Sequence, residues 1–134
     1  MKILFMLLLI ILSGCDGEND AKFVGQWLAD IDGDIKSELI VKANGIFYFK
    51  NMPMETVCRE DKTYKANFFG DWTINIDNRI DISMDNVNSE RCNIPSSYLI
   101  NGFYDGGYFF MSERIVFFPD GPDEPGNMII YIKQ

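Results

Sequence analysis

Apolar and polar side chains alternate along much of the chain with a period of two, the repeat of a strand that buries one face. The run Arg79-Ile80-Asp81-Ile82-Ser83-Met84-Asp85 alternates without a break and predicts Ile80, Ile82 and Met84 on one face. The preceding run puts Trp72, Ile74 and Ile76 inward, with Thr73, Asn75 and Asp77 outward. Asp77-Asn78 then offers a tight turn, so the two runs are predicted to pair as a hairpin. Leu39, Val41 and Ala43 alternate with Ile40, Lys42 and Asn44, and Asn44-Gly45 turns the chain into Ile46-Phe47-Tyr48-Phe49. An Asn-Gly pair between two β-rich runs is the strongest short-range hairpin signal in this sequence.

Later segments extend the same meander. Tyr98 to Asn101, Tyr108 to Ser112, Ile115 to Phe118 and Met128 to Lys133 are rich in aromatic and β-branched residues. They are separated by Tyr104 to Gly107, by Glu113-Arg114 and by the acidic loop Pro119 to Asn127. Met52 to Lys62 and Asn86 to Ser97 are the least regular stretches. About eight strands joined mostly by short turns predict an all-β domain: an up-and-down antiparallel barrel, with a compact β-sandwich as the alternative. Asp30-Ile31-Asp32-Gly33-Asp34 has carboxylates at the first, third and fifth places of a calcium loop, but Ile35 and Val41 stand where glycine and glutamate are needed. The string reads as a hairpin turn.

The beginning of the chain departs from alternation. Ile3 to Leu12 is a continuous apolar run of ten residues, half of the roughly 20 that a membrane-spanning helix requires. Lys2 before it and Ser13-Gly14 after it have the layout of a secretory signal. Leu12-Ser13-Gly14-Cys15 resembles the lipobox of bacterial lipoproteins. That resemblance implies cleavage before Cys15 and diacylglycerol, with palmitate-class acyl chains, on its thiol. An ordinary secretory signal and a retained anchor helix are the alternatives. Burying acyl methylenes gives about 0.8 kcal/mol each, so two or three chains hold a protein to a membrane almost permanently. The expected organisation is a signal peptide at 1–14, a lipidated tether at 15–21 and a single β domain at 22–134. The expected place is the bacterial cell envelope, facing the periplasm; Asp16 after the lipidated cysteine favours the inner membrane.

The chain has 12 basic and 20 acidic residues; loss of Lys2 with the signal leaves 11 against 20, a net charge of −9. Such a surface repels phosphate backbones, which excludes nucleic acid as a partner. It also disfavours lying flat on anionic lipid and would steer a cationic protein towards it. Plain solubility is the alternative reading of the acidity. With Cys15 carrying lipid, Cys58 and Cys92 are the remaining cysteines. In an oxidising periplasm a disulfide is the default for such a pair, and closing this loop stabilises by roughly 4 kcal/mol. Two buried free thiols, or a metal or redox pair, are the alternatives.

Phe23-Val24-Gly25-Gln26-Trp27 resembles the G-x-W opening strand of lipocalin-like proteins, and Asn44-Gly45-Ile46-Phe47 resembles their first hairpin. Phe69-Gly70-Asp71-Trp72-Thr73-Ile74 resembles the second G-x-W found in small lipocalin-like lipoproteins. The resemblance implies an eight-stranded barrel whose base is plugged around Gly25, Trp27, Gly70 and Trp72. No arginine is assigned to the place over the tryptophan that lipocalins fill. Physically, glycine allows close backbone approach at a bend, and an indole two residues later closes a barrel end. The same tryptophans read equally as plain core residues, and the 11 Phe and 6 Tyr either line a cavity or fill the barrel.

The chain has no histidine, which removes the histidine-based hydrolase mechanisms and the imidazole ligands of catalytic zinc. No metal site, cofactor or enzymatic activity is expected. Two function classes are carried forward. The first, favoured by the fold resemblance, is a lipid-anchored module whose barrel mouth takes a small apolar or amphipathic ligand. The second is an inhibitor or immunity-type lipoprotein that binds a cationic envelope protein.

Overall fold

The computed structural model describes residues 18–33, 35–54, 65–83, 99–107, 111–118 and 128–134, without the side chains of 18, 19 and 32. Cys15, Cys58, Cys92 and Met84 lie outside the described residues. After one helical turn, α1 (Glu18–Ala21), come eight strands: β1 (Gly25–Asp32), β2 (Ile35–Val41), β3 (Ile46–Pro53), β4 (Lys65–Ile74), β5 (Ile80–Ser83), β6 (Leu99–Asp105), β7 (Arg114–Phe117) and β8 (Ile129–Lys133). Each pairs antiparallel with the next, and β8 returns to β1 through Trp27 opposite Lys133 and Leu28 opposite Ile132. The result is a closed barrel with no free edge, which decides between the two architectures expected from the sequence.

Alternation does what the pattern predicts in the strand interiors. Leu39, Val41, Phe47, Phe49, Trp72, Ile80 and Ile82 all face inward and are buried. The hairpin at Asn44-Gly45 is a three-residue loop: Gly45 N–H donates to Lys42 O, Lys42 N–H donates to Ile46 O, and Gly45 takes a φ of 86°. Asn44 Oδ1 accepts from Ile46 N–H at 3.2 Å. Ala43 belongs to this turn and is exposed, so it does not continue the inward face of Leu39 and Val41.

The β4–β5 turn repeats the design and corrects one expectation. Asn75 N–H donates to Arg79 O, Asn78 N–H to Asn75 O, and Asn78 adopts a φ of 60°. The turn therefore uses Ile76, Asp77 and Asn78, the strand ends at Ile74, and Ile76 stands fully exposed at the tip instead of facing inward. A second correction concerns Tyr104 to Gly107. Tyr104 and Asp105 are still in β6, opposite Ile115 and Arg114, and only Gly106 and Gly107 leave the strand. Met111 and Ser112, expected in a strand, lie in the β6–β7 connection, and 108–110 fall outside the described residues.

Met52 and Pro53, expected in an irregular stretch, extend β3 beyond a bulge. Asn51 takes a φ of 53°, its N–H donates to Asn67 Oδ1 at 2.8 Å, and its Nδ2 donates to Lys36 O at 3.3 Å. The extra residue shifts the side-chain parity. Met52 and Met54 consequently turn into the barrel and are buried beyond Phe49.

Candidate functional site

Successive up-and-down strands give the barrel two unlike ends. The base receives α1, the tight β2–β3 and β4–β5 turns, the β6–β7 connection and the chain's last residues. The other end, the mouth, joins β1 to β2 through Gly33 and sends out segments 55–64, 84–98 and 119–127. Cys58 and Cys92 fall within the sequence of two of these connections, outside the described residues. Together with Asp32 and Asp34 at the β1–β2 turn, the three segments hold ten acidic and three basic residues. Most of the net charge of −8 thus comes from the sequence attached to one end.

The base is closed by aromatic rings and two lysines. Trp27 is fully buried, and its indole N–H donates to Phe23 O at 2.9 Å. Tyr104 meets Phe23 at 5.8 Å and Trp27 at 6.5 Å, both edge to face. Lys133 Nζ lies 5.3 Å from the Trp27 ring, and Lys22 Nζ lies 5.2 Å from the Tyr104 ring. Lys133 also pairs with Glu113 at 3.4 Å and donates to Lys22 O at 3.5 Å. Gly25 takes a φ of 142°, and a Cβ there would come 3.3 Å from Lys133 Cε. The Gly25 and Trp27 of the opening motif thus frame the lysine that closes over the indole.

This cluster is electrostatically set. The Tyr104 hydroxyl hydrogen-bonds to Glu113; that bond, then burial, pushes the phenol up to about 12. The same bond, then Lys133, holds the Glu113 carboxyl below its ordinary range. Asp105 is likewise lowered, first by the N–H of Gly107 and then by Arg114, which it meets at 2.5 Å. The arrangement ties Lys22 and Phe23, before β1, to β6, β7 and β8.

Gly70 and Trp72 reach the base from β4. A Cβ on Gly70 would meet the Phe47 ring at 3.2 Å. Trp72 donates its indole N–H to Lys42 O at 2.8 Å, as Trp27 does to Phe23. Beside it, a cavity of about 650 Å³ opens between α1, the β2–β3 turn and the end of β4. Its walls include Asp20, Ala21, Val24, Ala43, Trp72 and Ile74, and its volume is within the usual range of small-molecule sites.

Aromatic rings from opposite walls meet across the middle of the barrel. Phe49 touches Phe47, Phe68, Phe117 and Tyr131, with ring centroids 5.3 to 6.0 Å apart. Within this apolar waist sits one polar pair: the Tyr131 hydroxyl and Ser37 Oγ are 2.7 Å apart, and Ser37 Oγ donates to Lys50 O at 3.1 Å. Lys50 is the last β3 residue in register with β2, opposite Glu38. Burial pushes the Tyr131 phenol well above its ordinary value. Lys22, Glu113, Lys133, Ser37 and Tyr131 went unmarked in the sequence. For Lys133 a signal existed: it shares inward parity with Tyr131 on the last strand.

No group of three or more potential metal ligands occurs among the described residues. No protein-family model, curated protein or solved structure matches the chain.

Proposed function

We propose that this protein is a lipid-anchored lipoprotein of the bacterial envelope, with a lipocalin-like barrel that serves as a rigid, non-enzymatic binding module. Cys15 carries the lipid, and the acidic mouth receives a cationic protein or peptide, in the manner of an inhibitor or immunity-type lipoprotein. The observation that carries this reading is the contrast between a waist filled by Phe49, Phe117 and Tyr131 and a mouth whose connections hold ten acidic residues against three basic ones. A filled lumen has little to offer a ligand, whereas one-sided charge speeds and orients association with a basic partner. A Cys58–Cys92 disulfide joins two of the mouth segments and restrains that surface.

The test is affinity capture from envelope extracts with the intact protein and with the triple variant D120N/D123N/E124Q. A basic partner held at low salt, released at high salt and lost with the triple variant supports the reading. Capture that ignores both salt and the substitutions, or no partner at all, overturns it.

A second reading rests on the cavity of about 650 Å³ at the base. A small apolar or amphipathic ligand would sit there against Trp72 and Val24, moving the expected ligand site from the mouth to the opposite end.

A further inference from the structure

Ile76 is fully exposed, and the turn that presents it is tightly built. Asn75 Oδ1 accepts from the N–H groups of Asp77 and Arg79 at 2.9 and 3.1 Å, while its Nδ2 donates to Asp81 at 3.2 Å. Single exposed apolar side chains are common on soluble proteins, so exposure alone carries nothing. Position does. Ile76 lies at the base, two residues past Ile74, which shares the cavity wall with Asp20 and Ala21 of α1. Met111, also exposed, lies in the β6–β7 connection at the same end.

Only Asp16 and Gly17 separate Cys15 from Glu18, a span of about 11 Å at full extension. The helical turn is itself bonded to the barrel, with Phe23 N–H donating to Asp20 O and Val24 N–H to Ala21 O. A lipid on Cys15 therefore holds the base, not the mouth, within about 11 Å of its point of attachment. Charge acts in the same direction. Among the described residues of the base, Lys22, Lys42, Arg79, Arg114 and Lys133 balance Asp20, Asp71, Asp77, Asp105 and Glu113, whereas the sequence of the mouth segments is strongly acidic. An anionic leaflet repels the mouth and tolerates the base.

We infer that the base of the barrel is a membrane-contacting face, with Ile76 as the side chain that enters the lipid interface and Met111 exposed at the same end. The inference rests on the lipid anchor proposed above. It gives the molecule a fixed posture: barrel axis away from the bilayer, mouth presented to the periplasm, and the base cavity open close to the headgroups.

Tryptophan fluorescence reads this posture. The full chain, detergent-extracted from membranes, is reconstituted into phosphatidylethanolamine and phosphatidylglycerol vesicles carrying shallow doxyl-labelled lipid. Ile76→Trp is compared with Ile35→Trp at the mouth, the unsubstituted protein supplying the background from Trp27 and Trp72, and mass spectrometry reads Cys15 in the same samples. The expected result is acylated protein in which the tryptophan at 76 loses roughly half its added emission to the quencher, while that at 35 is unaffected. Acylated protein with equal quenching at both sites, or more at 35, overturns the membrane face and leaves the anchor standing. A non-acylated chain that the vesicles do not retain overturns both. Retention of a non-acylated chain with quenching confined to 76 supports the face and removes the anchor.

Discussion

Phe49 of β3 and Phe117 of β7 meet inside the barrel with ring centroids 6.0 Å apart and planes at 66°. In a ring of eight strands, β3 and β7 stand on opposite walls, four steps apart in either direction. Their contact means that the lumen is bridged by the protein's own side chains.

Phe49→Ala removes the ring common to four aromatic contacts. A buried Phe→Ala change in a waist that cannot collapse costs about 3–5 kcal/mol, transfer and cavity terms together. Urea unfolding measures it. A cost of about 1 kcal/mol would indicate a loosely filled lumen.

Gly102→Ala probes the same packing from the wall. A Cβ there would sit 2.6 Å from the Phe117 ring, and that ring is held by Phe49 and Tyr131. The expected loss is about 1–3 kcal/mol, as for an overpacked core. Ala at Gly33, where no atom lies within 4 Å of a Cβ but φ is 61°, separates backbone strain from crowding.

Ser37→Ala leaves the Tyr131 hydroxyl and Lys50 carbonyl without their partner. Buried polar groups left unpaired cost about 1–3 kcal/mol. The double variant Ser37→Ala/Tyr131→Phe should recover part of that loss, because it removes the stranded hydroxyl. Chemical denaturation of the three proteins gives the comparison.

The base closure responds to pH on both sides. Glu113 is held below its ordinary value, so it contributes stability above about 4.3 and loses it as pH falls through its lowered value. Asp105 behaves in the same sense, through Gly107 and Arg114. Tyr104 is raised to about 12, so its contribution is complete below its ordinary value and disappears as pH climbs towards 12. Tyr104→Phe removes the largest cause of the Glu113 shift and should shrink the acid-side fall in the urea midpoint. An unchanged acid limb would mean that the hydrogen bond does not set the carboxylate.

Strand interiors were legible because burial on one face writes itself as alternation, as at Ile80 and Ile82. The β2–β3 turn is legible from Asn44-Gly45, whereas the same pair at Asn101-Gly102 lies inside β6. Ile76 was misplaced because a three-residue loop closed by Asn78 and an Asn75 side chain ends the strand early, and alternation continued through the turn by accident of composition. Two following glycines make Tyr104 and Asp105 read as a turn, yet pairing with β7 keeps both in the sheet. The bulge at Asn51 depends on Asn67 of the neighbouring strand; a non-local bond of this kind has no local signature. G-x-W marks both base tryptophans; Lys133 over Trp27 is signalled only by its inward parity with Tyr131, which a charged residue at a strand end makes easy to read as solvated. The cavity at the base is assembled from three distant segments and has no sequence signal.

The proposed posture and location both follow from the lipid proposed on Cys15. Intact mass spectrometry of the native product is the direct measurement. The account predicts a chain that begins at Cys15 and carries diacylglycerol on its sulfur. A chain that starts at any other residue, or one that begins at Cys15 with a free thiol, would contradict it.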